Sequence, residues 1–257
     1  MNEKKVCFII CSSDRLYTDE CLYYIRHLNI PEGYQVDAFV VEDARSMTAG
    51  YNEGMQASDA KYKVYLHQDT FIVNPDFIHD FVKIFQQDDQ IGMIGMIGAP
   101  KLPSSGIMWE GERCGAIYVP AYNKDALFRA GDSDLTEVEA IDGLLMITQY
   151  DLPWREDIFD KWDFYDCSQS QEFIRRGYKV VVPELIEPWC LHDSTKSYLT
   201  YYDEERRKFL CEYFEENEKS SIDKHKVTVV LTSHNRKEQL QETLVWLTDV
   251  DGISNII

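Results

Sequence analysis

The sequence predicts an α/β protein with a mostly parallel central sheet flanked by helices, plus an incomplete C-terminal β-α unit. Two observations carry this prediction. Short apolar runs alternate with segments of helical period through the first half of the chain, which is the rhythm of β-α-β units. A fresh apolar, β-branched run, Val227–Leu231, then opens after the polar stretch Ser220–Lys224.

In chain order, Val6–Ile10 is the first strand. Thr18, Asp19 and Glu20 open a helix whose apolar stripe is Leu22, Ile25 and Leu28. Pro31-Glu32-Gly33 is a turn, Val36–Val41 the second strand and Tyr62–Leu66 the third. Asn74-Pro75 starts a helix, a capping side chain followed by proline, with Phe77, Phe81 and Phe85 recurring behind it. Ile91–Ile97 is the next strand, and Gly98 to Gly115 reads as a long loop. Gly115–Val119 and Ala140–Ile147 are strands, Asp166–Arg176 a helix, Tyr178–Val182 a strand and Asp203–Glu218 a charged helix. Residues 1–219 form one domain, 220–225 a linker and 226–257 the start of a second unit. In that second unit a turn at Thr232–Asn235 leads into a helix with Leu240, Leu244 and Leu247. One such unit cannot bury its apolar face alone.

Composition narrows the function classes. The 257 residues carry 45 acidic and 26 basic side chains, a net charge of −19. A phosphate backbone or an anionic membrane repels such a surface, so nucleic acid is excluded as a partner. A small anion remains possible where a cation or a helix N-terminus neutralises it. No stretch has the length of a membrane span, and Val6–Ile10 is too short for a leader's apolar region. The seven cysteines make no CxxC pair. Reduced thiols in a cytoplasmic protein fit best; Cys7 and Cys11 share one strand face as buried thiols. His27, His79 and His225 read as surface residues, and Trp154, Trp162 and Trp189 as core or rim.

The chemistry concentrates at strand ends, where open α/β sheets bind ligands. The run Tyr62–Leu66 ends in His67-Gln68-Asp69-Thr70. A carboxylate there can hold a divalent cation that binds a diphosphate oxygen, or it can serve a turn. Asp43, after Glu42 at the second strand's end, has the same two readings. Trp109, beside Glu110 in the long loop, is either a sugar-stacking wall or a packing plug. Asp166 is either a helix cap or a base.

These motifs resemble the family 2 glycosyltransferases, whose fold is called GT-A, and in particular the subgroup named after a streptomycin-biosynthesis protein. The resemblance rests on three segments in order: Gly50, Asn52 and Gly54 before a strand ending in His67-Gln68-Asp69; FDKWDFYDCSQSQEFIRRGYKVVVP; and Leu191-His192-Asp193-Ser194. It implies a metal held by Asp69 and His192, with His67, and a general base at Asp166. It implies donor contacts at Cys11, Ser12, Ser13, Glu42, Asp43, Asn52 and Gln68, and an acceptor above Asp142 and Gly143, with the loop's Trp109 as the sugar-stacking candidate beside it. The implied reaction transfers a sugar from a nucleotide-diphosphate sugar, UDP-linked, to a saccharide or glycoconjugate hydroxyl with inversion, in polysaccharide or glycoconjugate synthesis. Residues 226–257 resemble the opening of a second transferase domain. Departures from the pattern stand at His67, where the family has Asp, at Tyr165, where it has Glu, and at Ser168. A His67–Asp69–His192 shell is softer than an all-oxygen one and favours Mn2+ over Mg2+. A non-catalytic sugar-binding module beside an active second domain is the alternative. A sugar nucleotidyltransferase is disfavoured because Ser12-Ser13-Asp14-Arg15-Leu16 lacks a glycine-rich phosphate loop.

Overall fold

The computed structural model describes residues 1–120, 124–128, 134–193 and 199–214, together with the strand segments Val227–Val229 and Ile253–Ile256. Contacts divide the chain into Met1–Phe214 and Glu215–Ile257.

In the first unit the order is β1 (Asn2–Ser12), α1 (Arg15–Arg26), β2 (Gln35–Glu42), α2 (Met47–Ala57), β3 (Ala60–His67), β4 (Thr70–Ile72), α3 (Phe77–Phe85), β5 (Ile91–Gly95) and β6 (Ile97–Ala99). There follow β7 (Cys114–Val119), β8 (Lys124–Phe128), β9 (Leu135–Glu137), β10 (Ala140–Ile141), β11 (Leu145–Thr148), α4 (Tyr165–Arg175), β12 (Lys179–Pro183), β13 (Cys190–His192) and α5 (Tyr202–Tyr213). A seven-stranded sheet has the order β2-β1-β3-β11-β5-β12-β9. In it β1, β2, β3, β5 and β12 run one way, and β11 and β9 run against them. A second sheet has the order β10-β6-β7-β13-β4, with β8 beside β7.

Val6 to Ile10 are at most 2% exposed, so β1 is covered on both faces, as a central parallel strand is. Its register pairs Ser12 with Glu42 and Cys11 with His67. Three strand ends therefore meet at one edge of the sheet. Two capped helices start just beyond it. Asp14 caps α1, accepting from Leu16 N, and Ser46 caps α2, accepting from Ala49 N. Helix α2 lies close on β1. A Cβ at Gly50 would stand 2.5 Å from Cys11 Sγ, and one at Gly54 2.4 Å from Ile9 Cγ2. Those glycines are a packing requirement, and they set Ile9 and Cys11 beneath the helix. Behind α3, Phe77, Phe81 and Phe85 are all buried and pack edge to face in sequence.

Several sequence expectations need correction. Helix α1 begins at Arg15, before the expected Thr18–Glu20 start, because Asp14 caps it. Pro75 lies in a turn and α3 begins at Phe77; Asn74 closes the turn by accepting from Asp76 N. The run Ile91–Ile97 is two strands, since the chain leaves the first sheet after Gly95 and enters the second at Ile97. The run Ala140–Ile147 likewise divides into β10 and β11 around Asp142-Gly143. Both sheets bury these residues, so an apolar run does not reveal where it changes sheet. The expected loop from Gly98 to Gly115 begins inside β6, holds a 3-10 turn at Met108–Glu110 and ends inside β7. Strands β4, β9 and β13, each three residues long, escaped the reading.

In the second unit β14 (Val227–Val229) and β15 (Ile253–Ile256) pair in parallel, Val227 opposite Ile253. A parallel pair needs a crossover between its strands. The expected linker 220–225, turn 232–235, helix 239–247 and His225 lie outside the described residues, as do Ser194 and residues 215–218 of the expected charged helix.

Candidate active site

The site is assembled where β3 ends. After His67 the chain turns through Gln68-Asp69 into β4, and β13 runs antiparallel to β4 with His192 opposite Thr70. Asp193 N donates to Asp69 O over 2.9 Å, fixing that alignment. His192 Nε2 thereby stands 3.3 Å from Asp69 Oδ1, and His67 Nδ1 stands 4.0 Å from the same oxygen. One potential ligand atom from each of the three lies within 4.8 Å of the others, the one such group among the described residues.

The electrostatics suit a cation. Burial, then the charge of His192, holds the His67 imidazole below its usual value, so it is neutral with a lone pair to offer. Burial works against ionising Asp69, but the hydrogen bond and charge of His192 outweigh it and keep the carboxyl below its usual range. Burial also opposes a charge on His192; Asp69 reverses that and raises it. Two imidazoles and one carboxylate converging on one point fit a divalent transition metal, with positions left for phosphate oxygens and water.

Asp166 sits in the first turn of α4, after Phe164 at φ +58°. Its Oδ2 accepts from Gly143 N at 2.9 Å and its Oδ1 from Cys167 N at 2.7 Å. Burial, then the negative charge of Asp142, pushes its carboxyl up to about 7. A carboxylate in that range suits proton removal at neutral pH.

Both groups open into one cavity of about 780 Å3. Of the expected site residues, Cys11, Ser12, Ser13, Asp43, His67, Gln68, Asp69, Trp109, Asp142, Asp166 and His192 line it. Gln68 braces the end of β1: its Oε1 accepts from Ser13 N and Asp14 N, both at 2.8 Å, and its Nε2 donates to Ser13 Oγ. Asp43 holds the left-handed conformation at φ +56° where β2 turns toward α2. Trp109 is 44% exposed with Arg113 over its ring, so it is no packing plug.

Three expected contacts do not line the cavity. Glu42 is exposed at the end of β2. Gly143 acts through its backbone N–H on Asp166. Asn52 is buried, its Nδ2 donating to Trp154 O and its Oδ1 accepting from Trp154 N, both at 2.9 Å. It ties α2 to a distant loop, and its burial keeps it away from the cavity. Asn52→Ala leaves two buried backbone groups unpaired and is expected to lower stability by about 3 kcal/mol; urea denaturation measures this.

The sequence reading did not place Met108, Phe164, Leu199 and Tyr202 in this cavity, had Asp163 only as a fallback for the base, and had Trp162 only as core or rim. Trp162 is 47% exposed at the mouth. The density of aromatic and acidic residues in KWDFYD was the available signal.

Residues 7–213 match the profile of a family described as a glycosyltransferase-like family. No curated protein matches the sequence. The fold is similar to that of a mannosyltransferase from Pyrobaculum calidifontis in complex with GDP-Man and Mn2+, at 13% identity and a TM-score of 0.54, covering 85% of this chain and 65% of that one. It is also similar to GalNAc-T7 with UDP, GalNAc and Mn2+, at 11% identity and a TM-score of 0.51, covering 75% and 44%. The chain thus spans less than two thirds of either. These likenesses identify the fold as the GT-A type.

Proposed function

Because this chain belongs to the glycosyltransferase-like family that matches residues 7–213, we propose that it transfers a sugar from a UDP-linked donor to a saccharide hydroxyl, with inversion. The observation that carries the reading is one cavity holding both the His67–Asp69–His192 group and Asp166, whose carboxyl is pushed up to about 7. The order of motifs along the chain supports the streptomycin-biosynthesis-like subgroup and a role in polysaccharide or glycoconjugate synthesis in the cytoplasm. No described helix is long and apolar enough to cross a membrane. The second unit's parallel strand pair supports the opening of a further transferase-like domain.

The roles divide along the cavity. His67, Asp69 and His192 would hold a divalent cation, Mn2+ in preference to Mg2+ given the nitrogen donors. When bound, such an ion neutralises the diphosphate leaving group. Cys11, Ser12, Ser13 and Asp43, at the ends of β1 and β2, receive the nucleoside. Asp166 takes the proton from the acceptor hydroxyl as that oxygen attacks the anomeric carbon. Trp109 and Trp162 at the mouth present faces on which a sugar ring stacks.

A panel of nucleotide sugars with Mn2+ tests the reading. Slow release of nucleoside diphosphate without acceptor, accelerated by a saccharide, supports a transferase. Binding without any release supports a non-catalytic module instead.

The pH profile is a separate prediction. Asp166 must be ionised to act, so kcat/KM rises with pH and reaches half its plateau near 7. Asp142→Asn removes a negative charge that disfavours that ionisation, so the acid limb moves to lower pH. A profile flat from pH 5 to 8 counts against Asp166 as the base.

A further inference from the structure

Two of the three departures from the pattern that the sequence resembles touch each other. His67 and Tyr165 stand where the resemblance implies an Asp and a Glu. In the fold His67 Nε2 is hydrogen-bonded to the Tyr165 hydroxyl. The other ring nitrogen, Nδ1, is the one that faces Asp69 Oδ1.

We propose that Tyr165 is a positioning residue that fixes the tautomer and tilt of His67, and that the two residues replace the family's two carboxylates as a pair. The proposal rests on the reading of His67 as a metal ligand. An imidazole binds a cation through an unprotonated nitrogen. For Nδ1 to be that nitrogen, Nε2 must carry the proton and donate it to the Tyr165 oxygen. A carboxylate in Tyr165's place would put a negative charge beside the ligand shell; a phenol accepts the same hydrogen bond without a charge.

The phenol is held rigidly. Tyr165 is 4% exposed, with Tyr51 edge-on at 5.9 Å and Trp154 at 6.2 Å between ring centroids. A Cβ at Gly143 would stand 2.1 Å from the Tyr165 hydroxyl. The oxygen therefore lies against bare backbone, which only a glycine at 143 permits. Gly143 thus serves two neighbours on α4, donating its N–H to Asp166 and making space for Tyr165.

The test is Mn2+ titration by electron paramagnetic resonance on the wild-type protein and Tyr165→Phe, with histidine nitrogen chemical shifts as a second readout. In metal-free wild type His67 is expected as the Nε2–H tautomer. Tyr165→Phe should raise the Mn2+ dissociation constant roughly 10- to 100-fold and shift His67 toward a mixture of tautomers. An Nδ1–H tautomer in wild type overturns the proposal without any variant. So does unchanged Mn2+ affinity in Tyr165→Phe, or weakened affinity with an unchanged tautomer, which marks ordinary packing. Failure of wild type to bind Mn2+ at all is a different result, and it removes the metal reading itself.

Discussion

Asp166→Asn lowers the transfer rate roughly 10²- to 10⁴-fold, because an amide cannot take the acceptor's proton. Donor affinity stays near normal, since the metal group and the ends of β1 and β2 are untouched. The stability effect has a definite sign. Burial and Asp142 raise the carboxyl to about 7 in the folded protein, above an unfolded value of about 3.9. Below the unfolded value Asp166 is protonated in both states and costs nothing. As pH rises toward 7 the folded state loses stability, because it alone retains the proton. Asparagine carries no charge and escapes that loss. Against this, Asn offers one acceptor where Asp offered two, so either Gly143 N or Cys167 N loses its partner, at about 1 kcal/mol. The variant therefore melts slightly below wild type near pH 4, its relative stability climbs as pH rises through 7, and at pH 8 it melts above wild type. Scanning calorimetry across that range, beside initial rates, checks both parts. Transfer at close to the wild-type rate would reduce Asp166 to a helix cap and move the search for a base to Asp163 or Asp142.

Asp69→Ala abolishes the Mn2+ enhancement of nucleoside-diphosphate binding and lowers transfer by about 10³-fold, taking the ion's electrostatic contribution as about 4 kcal/mol. Asp69 is the sole carboxylate of the group, and both histidines converge on its Oδ1. Its loss also removes the partner that raises His192, so that imidazole deprotonates at lower pH in the variant. Calorimetry with and without chelator is the measurement. Equal affinity of the wild-type protein under both conditions would end the metal role.

The frame of the site was legible because strand ends are. Val6–Ile10, Val36–Val41 and Tyr62–Leu66 each stop at a polar cluster, and their register brings Cys11, Glu42 and His67 to one edge. What stayed hidden depended on contacts distant in sequence. Gly50 and Gly54 serve packing on β1, and Asn52 between them serves Trp154; one motif mixes two structural duties, and nothing in its spacing separates them. His192 lies on a strand of three residues, too short for any periodicity, and only the family resemblance reached it. Trp162 is 47% exposed and Trp154 2%, and exposure is a property of the assembled fold that residue type does not reveal. The contact of Tyr165 with His67 was equally out of reach, because two separate departures from a pattern give no hint that they meet.

The metal-ligand group draws on both sheets. His67 ends β3 of the first, His192 ends β13 of the second, and Asp69 lies in the turn between β3 and β4. An ion held there would join the end of β3 to the end of β13, beside the contact that His192 already makes with Asp69. It closes a loop longer than a hundred residues of sequence, and in an unfolded chain closing such a loop costs entropy that grows with its length. An ion that bound only the assembled state would stabilise it by mass action, so a chelator would lower the melting temperature of the folded protein.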